Sequence, residues 1–254
     1  VNRQLYVANS GSSSLTVIDG LSREVIKTIP MNYGDEPSRI ALSPDETVIY
    51  VVNYRSNTLA AIDARSLQEV SRQIVGTSPR SLTADRITGY IYVANELSDD
   101  IAVYDPVSRS VVSSISPGSS PRELFFNSRS KQLYLSQAVQ RTLSIFDTQT
   151  GALVGTMNLC SPAVGFDFNP VSGRLYAALE RCEEIAVLKP DSELELASIR
   201  LPGQPGQIKL GPDYRQLLVA LPQSNQLAIY STNSRKLVGL VNVGEKPYMA
   251  IVPQ

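Results

Sequence analysis

Val48-Ile49-Tyr50-Val51-Val52 is an unbroken apolar run that stops on a polar residue, Asn53, and is followed by a loop of polar residues, Tyr54 to Asn57. A second short apolar run, Leu59 to Ile62, ends on Asp63, and Glu69 to Val75 follows after a turn at Ala64–Gln68. Ahead of them, Ser38 to Ser43 is separated from Val48 by Pro44-Asp45-Glu46. Short β-branched and aromatic runs between turn residues predict four strands, and helical periodicity is absent. The runs do not alternate apolar with polar, so both faces of the predicted sheet are expected to be buried.

The unit recurs. Leu5-Tyr6-Val7-Ala8-Asn9, Ile91-Tyr92-Val93-Ala94-Asn95 and Leu133-Tyr134-Leu135-Ser136-Gln137 repeat it, and Leu175 to Leu179 and Leu217 to Leu221 are weaker copies. From Tyr6 through Tyr50, Tyr92, Tyr134 and Tyr176 to Leu218 the intervals are 44, 42, 42, 42 and 42 residues. A fixed period of this size marks a repeat architecture. Four-stranded sheets stacked face to face supply the two-sided burial, which predicts an all-β, six-bladed β-propeller forming one domain over residues 1–254. The chain starts on the second strand of a repeat. Residues 247–252 match the first strand of a repeat, so they are expected to pair with Gln4–Asn9 and close the ring in a 3+1 arrangement, removing its unpaired edges. Strand-like sequence begins at Gln4, which leaves open whether a leader precedes Val1.

Tyr-Val-x-Asn followed by a strand ending in Ile-Asp resembles the YVTN-repeat propellers of surface-layer and secreted proteins. The resemblance spans the chain and is closest in the first three repeats. It implies the propeller fold and says little of function, since relatives bind proteins, glycans or DNA or serve redox enzymes.

Composition narrows the chemistry. The chain has no histidine, which excludes imidazole catalysis and histidine-ligated metals within it. A net charge of −1 and the lack of tryptophan disfavour nucleic acid as a partner. No apolar run reaches the length of a membrane span. The repeated Asn9, Asn53 and Asn95 and the closing Asp19, Asp63, Asp105 and Asp147 are read as turn residues bonding nearby backbone amides.

Positions just after the recurring prolines are expected to ring a channel mouth. They include Ser38, Arg39, Arg80, Arg122, Glu123, Gln207 and Tyr248. Converging arginines suit an acidic or polar ligand; alternatively, each is paired and only caps the ring. Midway along the first strands, Asp167 and Lys209 fall at equivalent positions of consecutive repeats and are expected to form a structural ion pair. Cys160 and Cys182, the two cysteines, fall at one end of one hairpin. That placement favours a disulfide and hence a periplasmic or extracellular home. No cofactor and no metal is expected. The sequence therefore favours a monomeric, non-enzymatic binding module for a protein or surface polymer. The competing expectation is an enzyme or enzyme subunit, lyase-like, lactonase-like or redox-associated, with a ligand at the channel mouth.

Overall fold

The computed structural model describes residues 4–243. Residues 247–252, expected to close the ring, and Tyr248, expected at the channel mouth, lie outside them. The described strands form six antiparallel sheets, each hydrogen-bonded in sequence order. Blade 1 holds Gln4–Asn9, Ser14–Asp19 and Val25–Pro30. Blade 2 holds Pro37–Leu42, Val48–Asn53, Thr58–Asp63 and Glu69–Ile74. Blades 3 to 6 repeat that pattern of four, beginning at Pro79–Ala84, Pro121–Asn127, Ala163–Asn169 and Ile208–Leu210. This is the six-bladed, all-β propeller class, with strand ends within about a residue or two of the sequence reading. Closer packing divides the chain into two compact units, 1–135 with 146–153 and 136–145 with 154–254.

The continuous apolar runs have a direct cause. Successive side chains of a strand point to opposite faces. Ile49 and Val51 pack with Leu15 and Val17 of blade 1, while Tyr50 and Val52 pack with Leu82, Ile91 and Val93 of blade 3. Blade 3 divides in the same way, Tyr92 and Ala94 joining Leu124, Phe126 and Leu133. In the second unit, Tyr176 and Ala178 pack with Leu217 and Val219. Burying each of the Leu, Ile, Val and Phe side chains contributes about 1.5–3 kcal/mol, so blades 2 and 3 are each stabilised from both sides.

The first strands start irregularly. Register shifts fall between Pro37 and Arg39, Pro79 and Ser81, and Ala163 and Gly165. At Pro37 and Pro79 the proline cannot donate to the ladder, and a bulge at the strand's first residues accommodates it; Ala163 carries the same shift without a proline. The bulge also re-aims Arg39, Ser81 and their equivalents, which line the candidate site.

Candidate functional site

The closing aspartates act as the sequence implies. Asp19 accepts Leu21 N and Ser22 N, both at 2.8 Å, and Asp63 accepts Arg65 N at 3.2 Å and Ser66 N at 2.7 Å. Asp105 and Asp147 hold their turns through Val107 N and Thr150 N. These backbone donors keep all four carboxyls below the usual carboxylate range. In blade 5, where Lys189 replaces the aspartate, a 3-10 turn at Pro190–Ser192 begins with proline instead.

The asparagines brace their hairpins as expected, but by donating to other groups and not by accepting from backbone amides. Asn53 and Asn95 are fully buried, and they donate across the sheet. Asn53 Nδ2 reaches Thr58 Oγ1 at 3.0 Å; Asn95 Nδ2 reaches Val75 O at 2.9 Å and Asp100 Oδ1 at 3.1 Å. Gly76, at φ +151°, packs against Asn95, where any Cβ would lie within 2.4 Å of its side chain. These bonds tie the second strand to the third and, through Val75, to the segment arriving from the preceding blade.

Successive first strands are joined by side chains reaching the backbone of the next blade. Ser81 Oγ accepts Leu124 N at 3.2 Å, Thr83 Oγ1 accepts Phe126 N at 3.3 Å, and Asp167 Oδ2 accepts Leu210 N at 2.7 Å; in each, the partners are 43 residues apart. Gln207, buried, donates Nε2 back to Val164 O over the same spacing. Those amides belong to the edge strand of each sheet and would otherwise lack a partner. A period of 42 plus one residue of stagger thus repeats as a blade-to-blade latch.

The expected charged residues lie on the same first strands, and Asp167 belongs to the latch itself. Lys209 Nζ lies 3.1 Å from Asp167 Oδ2, whose carboxylate also takes Phe168 N at 2.9 Å. Arg39 Nη2 lies 2.8 Å from Glu123 Oε2, two blades away, and both side chains are largely buried. Ser81 Oγ, from the intervening blade, is 3.5 Å from Glu123 Oε1. Arg80 bonds Glu96 through Nε at 2.7 Å, and its guanidinium lies 5.0 Å from the Tyr54 ring centroid. Arg122 is half-buried in the first strand of blade 4. Sequence reasoning placed Arg39 and Glu123 in one set but had no means of pairing residues 84 positions apart.

Cys160 and Cys182 form a disulfide with Cα atoms 6.3 Å apart. Together with Glu184 they are a group whose ligand atoms lie within 4.8 Å of one another. Bridged sulfurs are not thiolates, so in this state one carboxylate remains to hold a cation. Burial, and then the charge of Glu184, raise the Glu195 carboxyl above its ordinary value.

The class defined by these sheets and latches is the β-propeller. Residues 2–111 match the model of the Lactonase family, described as a 7-bladed beta-propeller. That match covers less than half of the chain, and the chain's own blades number six. No curated protein matches. Among solved structures, Kuenenia stuttgartiensis hydrazine synthase is similar at 17% identity with a TM-score of 0.76, over 85% of this chain and 69% of that one. Dihydro-heme d1 dehydrogenase NirN, in complex with DHE, is similar at 19% identity and TM-score 0.74, over 95% of this chain. This chain spans 54% of the NirN chain. At such identities the likeness is one of fold.

Proposed function

We propose that the chain is a non-enzymatic, extracytoplasmic binding module, monomeric and folded as one domain, that holds a protein or surface polymer through the loops at its strand ends. One observation carries this reading. The charged groups of the first strands are already engaged, Arg39 with Glu123 and Lys209 with Asp167, and Asp167 also accepts two backbone amides. A general acid or base needs a lone pair or proton facing the substrate, and these groups face each other. The absence of histidine from the sequence points the same way. The disulfide supports a periplasmic or extracellular location, where such bridges persist. Nucleic acid is disfavoured by the balanced charge.

The second reading, an enzyme or enzyme subunit, is favoured by the partial match to the Lactonase family and by the fold likeness to hydrazine synthase and NirN. Under it, Arg39, Arg80, Arg122 and Glu123 would hold a polar ligand. Co-sedimentation with cell envelopes from the source organism tests the first reading. The protein is expected in the envelope pellet, at a level that saturates and that excess unlabelled protein displaces. Protein that stays in the supernatant at every envelope concentration would overturn it.

A further inference from the structure

An open cleft of about 670 Å³ lies in the first blade, between the turn that joins its first two strands and the segment that leaves its third strand toward blade 2. Its lining includes Ser12, Ser13 and Thr28 together with Pro30, Met31 and Tyr33. None of these is a carboxylate, ammonium or guanidinium. The serine loop is a 3-10 turn closed by Ser13 in the left-handed region, and Met31 N donates to Ser13 O at 2.9 Å, so the two walls are tied together. Ser12 and Ser14 share a hydrogen bond of 2.9 Å, and Ser14 accepts Asn9 Nδ2 at 3.2 Å.

Tyr33 is displayed, not tucked in. Its side chain is completely exposed, at 105% of the reference value. Single exposed apolar residues are ordinary. The turn that carries this one is not loose, however. Asp35 N donates to Asn32 O at 3.1 Å, and Gly34 has φ +81° at the third turn position, as a type II turn requires. Asp35, buried to 1% exposure, accepts Asn32 N at 2.9 Å and Arg72 Nη1 at 2.9 Å. Its carbonyl accepts Arg55 N at 3.2 Å. A buried ion pair thus anchors the backbone of a turn whose tip is a bare aromatic ring, so covering the ring costs the order of its own side chain and not that of the turn.

From this geometry we infer that the first-blade cleft is a carbohydrate-binding site, in which an uncharged glycan lays a CH face on Tyr33 and exchanges hydrogen bonds with the Ser12, Ser13 and Thr28 hydroxyls. A sugar ring has the required combination of an apolar face and a rim of hydroxyls. Hydroxyl side chains both donate and accept, matching those of a sugar. A cleft without charge discriminates against phosphate, carboxylate and cationic ligands, whose desolvation it cannot offset. The volume lies in the range of small-ligand sites. The inference rests on the binding reading above and names a glycan as the surface polymer.

The test titrates the intact protein with cellotetraose, chitotetraose, maltotetraose and mannotetraose, observed by saturation-transfer NMR. At least one should bind. Tyr33→Ala should weaken it about tenfold, Tyr33→Phe should hold it within about twofold, and both should melt with wild type because the side chain packs on nothing. Gly34→Ala, which strains the turn at a positive φ, should weaken binding in proportion to the loss of turn order seen in amide shifts. If none of the four tetrasaccharides binds, or if Tyr33→Ala leaves binding unchanged, the inference is wrong. Binding of the uncharged peptide N-acetyl-Leu-Val-Leu-amide in place of the sugars would also overturn it. Envelope co-sedimentation separates the two claims: if it survives in Tyr33→Ala, the glycan site fails alone, and if wild type never pellets, the binding reading fails first.

Discussion

Each closing aspartate stabilises its turn only while it is ionised. The hydrogen bonds of Asp19, Asp63, Asp105 and Asp147 hold their folded-state acidity above that of the unfolded chain, so their pKa values are depressed. For a depressed carboxyl the contribution is complete above the unfolded value, about pH 4, and is lost as pH falls through the folded one. Replacing all four by asparagine, which keeps an acceptor oxygen, should flatten the fall in melting temperature between about pH 5 and pH 2.5. A thermal-shift series with an unchanged slope would contradict it. The tyrosines give the opposite limb. Burial, reinforced in Tyr50 by Tyr104, pushes Tyr50 and Tyr92 up to about 12. Their contribution is present below about pH 10 and lost as pH rises toward 12, so absorbance at 295 nm should show these two phenols ionising together with unfolding. Ionisation of every tyrosine near pH 10 in a still-folded protein would refute this. The aspartate role was legible because Asx turns are local. The hairpin bonds of Asn53 and Asn95 are equally local, whereas the reach of Asn95 to Val75 O was not legible because it joins two blades.

Between elements, the latch decides what the Asp167–Lys209 pair is worth. Lys209 is about one-third exposed, which screens its attraction, and Asp167 keeps two backbone donors without it. Lys209→Met should therefore destabilise by about 1–2 kcal/mol, less than stranding a fully buried carboxylate would. Thr83 performs the same latch for Phe126 without charge. Asp167→Thr with Lys209→Met should accordingly approach wild-type stability, whereas Asp167→Leu with Lys209→Met leaves Leu210 N unpaired and should cost about 1–3 kcal/mol. Equal denaturation midpoints for the two doubles would remove the latch from the account. Repeat alignment made Asp167 and Lys209 legible as neighbours. The 43-residue stagger was not, since it arises from how one blade leans on the next. The disulfide closes 22 residues of separation, and Cys160→Ser with Cys182→Ser should lower stability by about 3 kcal/mol in the chain-entropy model, read as a shift in urea midpoint.

At the scale of the whole molecule, the period of 42 carried nearly all of the fold. It set the blade number, while the unbroken apolar runs set the strands and the two-sided burial that splits Ile49 and Val51 from Tyr50 and Val52. Blade 1 has three described strands, and we propose that residues 247–252 supply its fourth. Deleting 247–254 should then lower the melting temperature sharply or prevent folding, because Gln4–Asn9 would be left as a bare edge. Function was far less legible. Arg39, Arg80 and Glu123 look alike in sequence whether they await a ligand or are already paired, because the Arg39–Glu123 contact reaches across two blades and Arg80 closes on Glu96 within its own. The most direct test of that closure is a steady-state assay of the purified protein against a panel of aliphatic and sugar lactones, with and without added calcium. The account predicts hydrolysis indistinguishable from buffer in every case. Turnover that saturates with a lactone, and that falls in Glu123→Gln while the fold is retained, would contradict it.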